Sequence, residues 1–136
     1  MKILLAVDGS AHSLEAVRCL IDQAARYREP PAIEVLTVHR PVPMLPGMGK
    51  VVSAADVERY YSEEGAQALA EATKLLDRAR VPYRSQVLVG EPGEAIVKRA
   101  KEGRFDLVCL GTPAKWIGST TYKVMSHAEV PVLVVK

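Results

Sequence analysis

"KILLAVDGS" (residues 2–10) opens on six residues that are apolar after the first lysine and show no alternation, and it breaks at Asp8-Gly9-Ser10. A continuous apolar run closed by turn residues suits a strand buried on both faces, and such strands belong to parallel sheets covered by helices. Beyond the break, Leu14, Val17, Leu20, Ile21 and Ala24 recur at intervals of three and four. That spacing is the stripe of an amphipathic helix, with Ser10 as its N-cap.

The same alternation continues along the chain. Pro30-Pro31 close the first connection, and "AIEVLTV" (32–38) is a second strand. Residues 40–53, "RPVPMLPGMGKVVS", carry three prolines and two glycines without a clean period. They form a long loop whose methionines would cap a ligand crevice or else decorate a surface insertion. A helical pattern over 54–79 places Val57, Tyr60, Tyr61, Leu69 and Leu76 on one side. "YRSQVLV" (83–89) reads as a third strand. Within 90–103 a short helix has Pro92 near N1, glutamates at the positive end of the helix dipole and basic residues at the other. "DLVCLG" (106–111) is a fourth buried strand, Ser119 to about His127 a fourth helix and "VPVLVVK" (130–136) a fifth strand. Strands joined by helical crossovers pair in parallel through right-handed connections. The expectation is one domain, 1–136: α/β, a doubly wound open parallel five-stranded sheet with helices on both faces.

Composition narrows the function. Hydrophobic residues make up 49%, charged residues 25%, and the net charge is +2. Neither disorder nor a polyanion-binding surface follows from these values, so no nucleic acid partner is expected. No run approaches the length of a membrane span, and the apolar stretch after Met1-Lys2 is too short for a signal peptide. The chain is expected to be cytoplasmic, with no membrane partner. Cys19 and Cys109 fall in a helix and a strand, without the spacing of a disulfide framework or a zinc site.

In a doubly wound sheet, ligands bind outside the carboxyl ends of the strands where the strand order reverses. If the first and fourth strands are neighbours there, Asp8-Gly9-Ser10 faces the loop from Gly111 to Ser119. Ser119 and Thr120, with the unpaired N–H groups of the helix they begin, suit an anion, and Gly118 lets a phosphate approach the backbone. The same residues also suit a plain helix cap. Neither a G-x-x-x-x-G-K-[ST] loop nor a G-x-G-x-x-G turn is present, and no G-x-S-x-G elbow exists. His12, His39 and His127 have no metal-ligand spacing. The residues offer no catalytic constellation and no metal site, so a non-enzyme is expected.

Four blocks, "ILLAVDGSAHSLEAV", "VLTVHRP", "VGEPGEAIVKRAKEGRFDLVCLGT" and "GSTTYKVMSHAEVPVLVVK", resemble the universal stress protein family and occur in its order, while over residues 41–80 the likeness is only in pattern. The resemblance implies strand order 3-2-1-4-5, the adenine nucleotide alpha hydrolase-like arrangement, and binding of ATP or a related adenine nucleotide in some members. By the same resemblance, Asp8 stands at the nucleoside end of the ligand and the Val38 backbone at adenine. Gly111 begins the nucleotide motif and Gly118-Ser119 end it; Val7, Thr112 and Thr120 adjoin these positions. Here the chain departs from the family. Ala114 replaces the motif's second glycine, and Lys115, Trp116 and Ile117 stand where the family has nine residues.

A loop this short cannot wrap a triphosphate, and Ala114 adds a Cβ where close approach favours glycine. The implied ligand is therefore ATP or AMP held weakly or not at all, with Mg²⁺ accompanying any ATP and Lys115 as a nearby charge. The implied function is a non-enzymatic regulatory or chaperone-like module of the stress response. The alternatives are an ATP-binding, nucleotide-gated switch or slow ATPase, with Ser119 serving the phosphates and Mg²⁺, and a purely structural dimer. The family also implies a homodimer joined through the C-terminal strand, 130–136.

Overall fold

A computed structural model describes residues 1–47 and 51–136. Five strands and four helices alternate as β1 (Lys2–Ala6), α1 (Ala11–Ala24), β2 (Ala32–His39), α2 (Ala54–Arg78), β3 (Tyr83–Val89), α3 (Pro92–Glu102), β4 (Leu107–Gly111), α4 (Ser119–His127) and β5 (Val132–Val135). All pairings are parallel, and the sheet runs β3-β2-β1-β4-β5. The expected doubly wound architecture and strand order are both present.

The apolar run at the N-terminus is explained by its central place between β2 and β4. Ile3, Leu5 and Val7 point to one face, where they pack with Val17 and Leu20 of α1 and Leu69 and Leu76 of α2. Leu4 and Ala6 point to the other and meet Ile96 of α3, Val124 of α4 and Leu110 of β4. A strand with a core on each face has no position left for a polar residue. Burying one such leucine contributes roughly 1.5–3 kcal/mol, so β1 anchors both layers.

Three helices start on side-chain caps. Ser10 Oγ accepts the Ser13 N–H at 3.2 Å, Ser53 and Asp56 form a capping box, and Glu91 accepts from the N–H groups of Gly93 and Glu94. Helices α2 and α3 are followed by Arg80 and Arg104 in the left-handed region, at φ 57° and 53°. At the amino end of the sheet, Glu34 of β2 receives a bidentate pair from Arg99 of α3, Nε to Oε1 at 2.7 Å and the terminal nitrogen to Oε2 at 2.6 Å.

Element ends differ slightly from the sequence reading. β1 stops at Ala6, although the Val7 N–H still bonds Leu36 O at 2.9 Å; β2 runs on to His39; and β5 covers only 132–135. Proline at 131 cannot donate to a ladder, which fits a late start for β5. Of the loop methionines, Met44 is exposed and is not among the residues lining the cavity described below, and Met48 lies outside the described residues. Among the described residues, no helix is long and apolar enough to cross a membrane.

Candidate functional site

The turn after β1 is organised by Asp8. Gly9 takes φ +82°, a conformation that an L side chain rarely adopts, and brings Ser10 back over the aspartate. Asp8 Oδ1 accepts the Ser10 N–H at 2.9 Å and also the Ser10 hydroxyl, whose oxygen in turn caps α1. Ser13 Oγ donates to Ser10 O at 3.0 Å, and His12 Nε2 stands 3.8 Å from Asp8 Oδ2. Partial burial would raise the Asp8 pKa. The hydrogen bonds from Ser10, helped by Ser13 and His12, outweigh it and hold the carboxyl below its ordinary range. Asp8 is a carboxylate at neutral pH.

The second wall is the loop from β4 to α4. Thr112 is fully buried. Its Oγ1 accepts the Gly118 N–H at 2.9 Å and donates to Trp116 O at 3.3 Å, closing the loop into a turn. Thr121 Oγ1 donates to Gly111 O at 3.2 Å and ties the first turn of α4 to the end of β4. Gly118 occupies the N-cap position of α4 without any side-chain cap, unlike the start of the other three helices. Helix starts left in this state favour negative charge through the aligned N–H groups and the helix dipole.

Between these walls lies a cavity of about 440 Å³, within the range usual for small-molecule sites. Sheet order fixes its layout. Val38 and Arg40 at the end of β2, with Pro92 and Ile96 of α3, line one part; Val7, Asp8 and His12 line the part over β1; Gly111, Gly118, Ser119 and Thr120 line the part beyond β4. Seven residues singled out in the sequence, Val7, Asp8, Val38, Gly111, Gly118, Ser119 and Thr120, thus share one cavity wall. Thr112 braces the loop from inside, and Ala114 and Lys115 are exposed and do not line the cavity. The basic groups facing it are Arg40 and His12, in place of the expected Lys115.

Arg40, Trp116, Pro92 and Ile96 were not signalled by the sequence as site residues. Arg40 follows Val38 by two positions, yet nothing in the proline-rich loop it opens marks it out. Glu91, beside Pro92, is a carboxylate with a lowered pKa. The Glu94 N–H is the main cause, burial opposes it, and the charges of Lys123 and Arg40 add to it.

Reactive groups are sparse. Cys109 is buried on β4, and burial, with Cys19 nearby, pushes its thiol up to about 12, which leaves no thiolate at neutral pH. Among the described residues, no group of three or more His, Cys, Asp or Glu side chains is placed to hold a metal ion. The cavity therefore offers one carboxylate, two basic side chains, an uncapped helix start and apolar walls. These groups can bind and orient a small anionic or polyhydroxylated ligand.

Known proteins place this arrangement. The model of the universal stress protein family matches residues 1–136. A universal stress protein of Methanocaldococcus jannaschii is 34% identical over 142 aligned positions, spanning 99% of this chain and 81% of that protein. Among solved structures, universal stress protein UspA from Lactobacillus plantarum has a similar fold, with TM-score 0.80 at 24% identity over 100% of this chain and 97% of that one. A universal stress protein solved in complex with cAMP has TM-score 0.71 at 26% identity, over 100% and 97% of the two chains.

Proposed function

The chain belongs to the universal stress protein family, and from that premise we propose that it is a single-domain, non-enzymatic regulatory binding module that holds an adenine nucleoside or its monophosphate weakly. One observation carries the reading. The cavity keeps a carboxylate, Asp8, and an uncapped helix start at Gly118-Ser119-Thr120, while the loop between Gly111 and Gly118 is a tight turn closed by Thr112. Asp8 is suited to accept from ribose hydroxyls, the Val38 main chain to meet the base, and the start of α4 to receive one phosphate. No further backbone donors from a long glycine-rich loop stand ready for a second or third phosphate. The solved relative in complex with cAMP, whose ligand carries a single phosphate, supports this division.

Turnover needs a positioned base or a metal-activated water. Asp8 is already engaged by Ser10 and is held below its usual pKa, which makes it a poor base and leaves His12 as the remaining candidate lining the cavity, a role that the hydrolysis arm of the test below covers. The same reading puts the protein in a reducing cytoplasm, where Cys19 and Cys109 stay free thiols.

Calorimetry with adenosine, AMP, cAMP and ATP tests the proposal. Adenosine and AMP are expected to bind, with ATP no tighter than AMP and no phosphate release on prolonged incubation. Submicromolar ATP affinity with a strong triphosphate preference, or steady ATP hydrolysis, overturns it.

A further inference from the structure

The shortened loop places Trp116 among the residues that line the cavity beyond β4. Trp116 is 62% exposed, so the core does not account for its place, yet it lines the cavity together with Pro113. Its backbone is fixed: the carbonyl accepts from buried Thr112, whose oxygen also holds Gly118 at the start of α4. The main chain of Trp116 and the anion-favouring helix start are thus parts of one braced turn.

We propose that Trp116 is a specificity-determining residue, whose indole walls the phosphate end of the cavity and selects ligands that end in a single phosphate. The inference rests on the nucleotide reading above and adds the source of the selectivity. An aromatic face is the negative pole of the ring quadrupole, so it attracts cations and repels a second and third phosphate laid against it. Pro113 beside it has no N–H to offer as compensation. Selectivity therefore comes from a group that is present, in addition to the donors that the short loop lacks.

Trp116 is the only tryptophan of the chain, so its emission reports on the site directly. In the wild type, AMP titration is expected to change that emission with the midpoint that calorimetry gives. Trp116→Ala leaves the main-chain brace in place and is expected to improve ATP affinity relative to AMP by about threefold to fivefold, the size of a contact at an exposed aromatic face. Trp116→Phe keeps the aromatic face and is expected to keep the preference. If AMP binds by calorimetry while the emission stays constant and Trp116→Ala leaves the ATP to AMP ratio unchanged, this inference is overturned and the nucleotide reading stands. If neither AMP nor adenosine binds, the nucleotide reading fails and the role of Trp116 falls with it.

Discussion

Gly111 at the end of β4 lies against the main chain of His12 in the first turn of α1, with no room for a methyl group between them. A Cβ at 111 would overlap the His12 carbonyl and come within 2.9 Å of the Ser13 nitrogen. The glycine that the family resemblance puts at the start of a nucleotide motif therefore has a packing duty of its own: it lets α1 sit down on β4, and with α1 come Ser10, His12 and Ser13 around Asp8. The clash is with backbone, which cannot swing aside as a side chain can. Gly111→Ala is expected to cost about 2–3 kcal/mol or to prevent folding, by the usual cost of overpacking. Gly118→Ala, whose nearest new neighbours are 3.9 Å away, is expected to cost under about 1 kcal/mol as a poorer N-cap. Urea denaturation of the two variants checks the contrast; equal costs would show that the approach of α1 to β4 can relax.

Asp8 gives a pH signature. Its folded pKa is depressed below an unfolded value of about 3.9. A depressed carboxylate contributes stability that is complete above the unfolded pKa and is lost as pH falls through the folded one. The stability gap between the wild type and Asp8→Asn is therefore expected to persist down to about pH 5 and to close below about pH 4. Thermal melts at a series of pH values measure it. In binding, Asp8→Ala is expected to weaken adenosine by about tenfold or more, the loss of a hydrogen bond to a charged acceptor. Unchanged adenosine affinity would leave Asp8 a role only in the turn.

Away from the cavity, Glu34 and Arg99 offer a test of stability alone. Glu34 is 12% exposed and Arg99 29%, and the pair is bidentate. The hydrogen bond to Glu34 lifts the Arg99 pKa above its ordinary value against the effect of burial. The Arg99 guanidinium also lies 5.4 Å from the Phe105 ring centroid. Glu34→Ala leaves that guanidinium on the sheet face without its acceptor and is expected to cost about 2–3 kcal/mol, below the range for fully buried pairs because Arg99 keeps some water. Nucleotide affinity is expected to stay unchanged, since the pair sits at the amino end of the sheet. A double-mutant cycle with Arg99→Met separates the coupling from the loss of packing.

The residues that could be read in advance are those whose signal is local. Ser10 as a cap, Pro92 at the first position of α3 and the extents of β3 and α4 each depend on a few neighbouring residues, and each is found where the sequence placed it. The order of the strands is not local. It came from a family likeness, because periodicity says that strands are buried without saying beside which partner. The Glu34–Arg99 pair spans 65 positions and showed in the sequence only as a charge inside an apolar run. Thr112 looked like a loop threonine beside the motif, and its burial follows from how tightly the short loop turns. Arg40 and Trp116 reach the cavity through the convergence of three strand ends, which no window of sequence contains.

The last prediction concerns β5, the edge of the sheet next to β4. Its side chains are already used inside the chain: Leu133 and Val135 pack on the α1 and α2 side, Val132 and Val134 on the α3 and α4 side. What is unused is backbone. Val108 and Thr112 donate to the carbonyls of Pro131 and Val135 at 3.0 and 2.8 Å, so by the alternation of a parallel ladder Val132 and Val134 turn their N–H and C=O groups to the open edge. Helix α4, which packs against β5, also exposes Tyr122 and Met125. An uncharged apolar edge invites pairing, and two copies about a two-fold axis satisfy each other's backbone groups. A homodimer through this strand is the expected state, with light scattering at micromolar concentration giving twice the chain mass. Val134→Pro removes an outward N–H and is expected to give a folded monomer, whereas Val134→Ala keeps the N–H and is expected to remain dimeric. A wild-type chain that is monomeric at that concentration, or a Val134→Pro variant that still pairs, sinks the edge-to-edge dimer.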